Sequence, residues 1–202
     1  LEQTAQLFGI QRSWLEGATN RIYVTHSCYK NPAELFRLIR SIRYDRHSFP
    51  LRALTTCKAF DYRSEAPQPI VILLAEKLAA TEDVDQIWDI DRYHILDEWD
   101  WSYPKARIQL KAMVRLVDTM IDERVPMFRV SPADLKAVCE GRRIPRDLVT
   151  SCLLTNPSLE DYTCSAKESA AAKETDELPW VLDYISEWKL ENLAQGKFGN
   201  PN

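Results

Sequence analysis

The chain has 202 residues with 26 basic and 30 acidic side chains, a formal net charge of −4, and is long enough to bury a substantial core as one medium domain or as a small and a larger one. A free-standing nucleic-acid reader carries a basic excess, so this balance speaks against the main DNA surface lying on these residues. No apolar run approaches the ~20 residues of a membrane span and no signal peptide stands at Leu1, so the expectation is a cytoplasmic protein with no membrane partner.

In chain order, Ala5, Leu7 and Phe8 make a short amphipathic helix, Gly9 supplies the left-handed residue that ends it, and Ile10 is the apolar plug after the stop. Ser13 is placed to cap a second helix, Trp14 and Leu15 to pin it back on the first, and Gly17 to end it. Helices this short need further elements to bury their apolar faces. The spacing of Ala5, Gly9 and Ile10 resembles the helix-turn-helix of Cro/lambda-repressor-like regulators, over less than a tenth of the chain. Two alignments compete. In one, Leu1 to Gly9 is the positioning helix and the recognition helix starts at Ser13. In the other, which is preferred, Gln6 to Gly17 matches the family's closing helices, with their apolar-Gly-apolar turn and Trp-Leu-x-Gly stop. The second implies a chain that begins inside the domain, with the DNA-reading helix cut off or absent. The plain alternative is a helical hairpin with no DNA role.

Arg21 to Tyr29 is β-branched and aromatic, as a strand or extended linker is. Asn31-Pro32-Ala33-Glu34 opens a helix with Leu35, Leu38, Ile39 and Ile42 on its apolar face and Arg37, Arg40 and Arg43 off it. Those arginines form either a solvated face or an anion-binding row. Leu51 to Phe60 is a strand or a short helix between prolines. Pro69 to Leu78 begins as a continuous apolar run, as a strand covered on both faces does, although Leu73 to Ala80 also suits a helix.

From Glu82 to Tyr103, acids interleave with Trp88, Tyr93, Trp99, Trp101 and Tyr103. Three readings stand: a metal site from Asp89, Asp91 and His94, a pocket for a cationic or planar ligand lined by Trp88, Tyr93, Trp99 and Trp101, or a hairpin whose acids face water while its aromatics pack on the core. The third is preferred. After Pro104, Ile108, Leu110, Met113, Val114, Leu116, Val117, Met120 and Ile121 form the wide stripe of a helix reaching about Asp122 that crosses the core, with Arg107, Lys111 and Arg115 as a basic row on its outer side.

Val125 to Val130 reads as a strand, and Ser131-Pro132-Ala133-Asp134 caps a helix ending at Gly141. The loop carrying Arg142, Arg143 and Arg146 is a candidate partner for the acidic stretch, and Leu148 to Leu154 is a further apolar segment. Ser165 to Thr175 is of low complexity, as a solvated helix or linker is. Leu178, Val181, Leu182, Ile185, Trp188 and Leu193 build a closing helix that Gly196 ends. On it Trp180, Tyr184 and Trp188 stand at four-residue steps, long enough for a dimer contact or for packing within the chain.

The five glycines form no nucleotide-binding pattern, no Gly-x-Ser-x-Gly or His-Glu-x-x-His occurs, and no cofactor or catalytic residue is expected. A Cys28/His26 pair is conceivable as nucleophile and base but has no orienting third group. The five cysteines, without a Cys-x-x-Cys pair, read as reduced thiols.

The expectation is a mixed α/β fold with a helical piece at 1–20, a sensor or association domain at 21–164, a linker at 165–177 and a closing helix and tail at 178–202. The resemblance implies a DNA-binding regulator acting as a homodimer; on that reading the DNA contacts are drawn from Arg12, Lys105, Arg107 and Lys111, and the acidic-aromatic stretch takes a small ligand or protein as a further partner. The alternatives are a protein-interaction module with no DNA role and a small enzyme built on Asp89, Asp91 and His94.

Overall fold

Pro69–Asp83 (β3) lies near the middle of a six-stranded mixed sheet of order β1-β4-β3-β2-β5-β6 in the computed structural model, which describes residues 1–41, 51–83, 86–121, 124–151, 153–154, 158–164 and 177–194, with side chains described at all of these except 79–83, 86–89, 120–121, 151 and 153–154. The apolar run of β3 is a strand because both its faces are covered. Ile70, Ile72 and Leu74 enter one core while Val71, Leu73 and Ala75 enter a second on the other side, the period-2 alternation of a pleated strand. The helical alternative for Leu73 to Ala80 is thereby replaced by strand.

Leu51–Thr55 (β2) and Gln86–Asp100 (β4) flank β3, both antiparallel to it. Thr25–His26 (β1) runs parallel to β4 at one edge, and Met127–Arg129 (β5) runs parallel to β2 towards the other, where Leu153–Leu154 (β6) closes the sheet. The extended segment Arg21 to Tyr29 thus contributes only this two-residue strand and an Ile10–Tyr23 bridge. Among the described residues β2 reaches Leu74 and β1 reaches Ile95, and the outer half of the β3–β4 pair, out to Asp83 and Gln86, has no further strand beside it.

The first core is roofed by Pro32–Ser41 (α3), Pro104–Ile121 (α4), Leu178–Glu187 (α7) and Leu190–Ala194 (α8). The second is covered by Pro132–Cys139 (α5) and Arg146–Ser151 (α6), with Ile10 and Trp14 packed at its margin. Two helical layers around one sheet make a mixed α/β fold. α4 carries the chain from β4 to β5, and its stripe of Leu110, Met113, Val114 and Val117 is almost wholly buried, as its apolar period requires.

The capping signals of α5 are realised. The Ser131 hydroxyl accepts from the Asp134 N–H at 3.1 Å, and Gly141, at φ 68°, turns the chain so that its carbonyl accepts the N–H groups of Ile22 and Tyr23 at 2.7 and 3.0 Å. At the N-terminus, Glu2–Phe8 (α1) ends at Gly9 in the left-handed region, and Arg12–Leu15 (α2) is a single turn whose cap position is Gln11, so Ser13 lies inside it.

The closing helix is in two pieces. Lys189, at φ 50°, breaks it into α7 and α8. Leu148 to Leu154 is divided between α6 and β6, joined through Cys152, which lies outside the described residues, as do Arg43 and residues 165–176. Of the loop arginines, Arg142 pairs with Glu140 and Arg143 with Asp134. No helix among the described residues is long and apolar enough to cross a membrane.

Candidate functional site

α7 forms because Leu178, Val181 and Ile185 fall on one helical face, with Pro179 in the first turn where its missing N–H costs nothing. Val181 and Ile185 are buried. The aromatic residues fall off that face: Trp180 is 57 % and Trp188 49 % exposed. Tyr184, between them, is half-buried, and its ring stacks on Trp188 with centroids 5.7 Å apart. Its hydroxyl accepts from Gln109 Nε2 at 3.2 Å, and Gln109 Oε1 in turn accepts from the Trp99 indole at 3.1 Å. This relay ties Tyr184 on α7 through Gln109 on α4 to Trp99 on β4.

The head of α7 is held by charge. Arg107 and Lys111, one turn apart on α4, converge on Glu177, the residue before Leu178. Arg107 Nε lies 3.0 Å from each carboxylate oxygen, its Nη2 also donates to Glu177, and Lys111 Nζ donates to the same carboxylate at 2.7 Å. All three are at least 95 % buried. Burial alone raises the Glu177 carboxyl, but the bonds from Arg107 and Lys111 outweigh it and bring it down to about 2. Arg107 also donates to the Trp101 carbonyl at 2.6 Å, and Lys111 lies over the Trp101 ring. A charge cluster this dry fixes one arrangement of its elements, because any other leaves a charge buried without its partner.

The basic row expected on the outer side of α4 is therefore turned inward. Arg107 and Lys111 are core residues, and Arg115 donates to the Thr163 carbonyl at 3.0 Å. Arg12 and Lys105 are exposed, with Arg12 bonded to Glu16 at 2.6 Å and 3.6 Å from Glu2. The expected ligand-binding aromatics are core side chains as well. Trp99 and Trp101 are 1 % exposed, with Phe60 stacked on Trp101 at 4.6 Å and Tyr162 against its edge at 5.3 Å. Tyr93 is buried in the second core, and the Trp88 side chain lies outside the described residues.

Asp91 and His94 do not converge. They differ by three along β4 and so project to opposite faces: Asp91 accepts from the Tyr93 hydroxyl at 3.3 Å, while His94 lies 3.3 Å from Glu76 on the other side. The Asp89 side chain lies outside the described residues, among which no cluster suited to a metal occurs.

His94 belongs instead to a polar chain at the sheet edge, built from cross-strand neighbours. Arg92, paired in register with Glu76, donates to its carboxylate at 3.1 Å and to the Leu7 carbonyl at 2.6 and 2.8 Å. His94 shares the same Glu76 oxygen, and its ring lies 5.5 Å from that of His26, whose Nδ1 is 4.0 Å from Glu34. The bonds from His94 and Arg92 hold the Glu76 carboxyl below its usual range, whereas burial and the neighbouring His94 depress the His26 imidazole. Gly9 is required beside it, since a Cβ there meets Arg92 Cγ at 2.8 Å.

Cys28, two residues from His26, is fully buried with its thiol pushed up by desolvation, so the two do not form a nucleophile and base. Cys57, Cys139 and Cys164 are free thiols, and burial beside Glu98 pushes that of Cys139 up to about 12. The void between the sheet and α4, lined by Leu35, Ile72, Leu96 and Met113, has no polar lining and room for no more than a water-sized occupant.

Sequence reasoning missed the Arg107–Glu177–Lys111 cluster and the Arg92–Glu76–His94 chain. The first joins residues 66 and 70 apart, with no local signature. The second follows from the hairpin register, which sets Glu76 opposite Arg92. No family model, curated protein or solved structure matches the chain.

Proposed function

We propose that the chain is a protein-interaction module that seats its partner on the outer aromatic face of α7. The observation that carries this reading is the exposure of Trp180 and Trp188 on a helix whose head is clamped by buried ion pairs and whose middle is tied to the sheet through Tyr184, Gln109 and Trp99. Tryptophan and tyrosine bury much area at little entropic loss and dominate the energetics of protein interfaces. A helix anchored at its head and middle and presenting two of them is organised for binding before the partner arrives.

A regulatory role on DNA has weaker support. α2 has a single turn, and of the four basic residues assigned to DNA only Arg12 and Lys105 are exposed.

The test is a photo-activatable side chain placed at Trp188 of the full chain in cells and, as control, at Glu65. A discrete adduct of defined mass from position 188 alone is the expected result. Identical adduct patterns from both positions count against the reading.

A further inference from the structure

We infer that the partner on α7 presents a basic segment, in which arginine or lysine alternates with apolar side chains; this rests on the interaction reading above. Asp183 and Glu187, three residues after Trp180 and Tyr184 respectively, form a stripe along the aromatic one. Both are exposed, and neither makes an ion pair among the described residues. Glu191 follows on α8, and Lys189 is the one cation among residues 178–194. The outer surface of α7 thus sets two indole faces beside two unpaired carboxylates. That is the combination a guanidinium or ammonium takes best, stacking over the ring while pairing with the acid. The chain's net charge of −4 attracts such a partner from a distance.

The same stripe opposes a second copy. In a twofold pairing each patch meets itself. Two antiparallel α7 helices that stack their tryptophans therefore bring each acidic flank against its own counterpart, and like charges facing across an interface select against that partner.

The test titrates the full chain against two labelled amphipathic peptides, one of arginine and leucine and one of glutamate and leucine in the same pattern, followed by anisotropy at low and moderate salt. The variants W180A/W188A, D183K/E187K and, as a charge-matched control, E2K/E65K alter exposed positions. The expected result is binding of the arginine peptide alone, weakened about tenfold or more by D183K/E187K, lost in W180A/W188A and little changed by E2K/E65K. Equal binding of the glutamate peptide overturns the inference. So does arginine-peptide binding that D183K/E187K leaves intact but W180A/W188A removes, although the interaction face then survives. Indifference to both double variants overturns the inference and the interaction reading together. A chain that sediments as a dimer, and that W180A/W188A returns to monomer, assigns the face to a second copy and overturns the basic partner alone.

Discussion

Arg107 on α4 and Glu177 at the head of α7 are joined by hydrogen bonds from Arg107 Nε to both carboxylate oxygens, with neither residue more than 4 % exposed. This contact sets where α7 begins and how the aromatic face is presented. Removing the carboxylate takes from Arg107 and Lys111 the ion pairs that it makes with them in the core. Glu177→Gln is expected to cost about 3 kcal/mol of stability, read from the urea midpoint. An unchanged midpoint would show that the cluster contributes nothing to the fold.

The same carboxylate predicts an acid limb. Its folded value near 2 lies below the ordinary 4.5, so the unfolded chain takes up the proton more readily. The contribution of Glu177 is complete above 4.5 and is lost as pH falls from there through about 2. Urea midpoints measured across that window are expected to fall with pH in the wild type and to fall less in the Glu177→Gln variant.

His26 gives a second pH dependence, higher on the scale. Burial, reinforced by His94, holds the imidazole below its ordinary 6.5, against the opposing pull of Glu34 and Asp97. The unfolded state therefore binds the proton first, and stability declines as pH falls below 6.5. Replacing His26 with Gln is expected to flatten this part of the profile. A His26→Gln chain with the wild-type slope between neutral and pH 5 excludes His26 as the source.

Gly141 has no room for a side chain. It stands at φ 68°, and a Cβ meets the Tyr23 carbonyl oxygen at 2.3 Å, where backbone rather than a flexible side chain must give way. Gly141→Ala is expected to cost more than the ~1–2 kcal/mol of a left-handed non-glycine residue alone, because it also displaces the turn that accepts Ile22 and Tyr23. Calorimetry of the variant checks this, and a loss within the simple backbone range means that the Tyr23 segment yields.

The tryptophans divide into two classes with opposite expectations. Trp99, 1 % exposed with its indole donating to Gln109, is expected to cost about 3–5 kcal/mol on truncation to alanine. Trp180, 57 % exposed, is expected to change stability by about 0.5 kcal/mol or less. Comparable losses at the two positions, by chemical denaturation, remove the ground for treating Trp180 as a binding side chain.

The features that the sequence determines by itself are the ones whose causes are local. The proline-started helix α3, the stripe of α4, the Ser131 cap and the left-handed stop at Gly9 each depend on residues within a turn or two of one another. The tertiary structure decides which polar side chains are outside. Four-residue spacing places Arg107 and Lys111 on one side of α4, but only the return of the chain 66 to 70 residues later brings the carboxylate that makes their burial tolerable. In the same way the period of β4 distributes its aromatic and acidic residues between two faces. Which of those faces meets helix or solvent depends on α4, which follows β4 directly, and on α5 and α7, which dock from more distant parts of the chain, so that Trp99 is a core side chain.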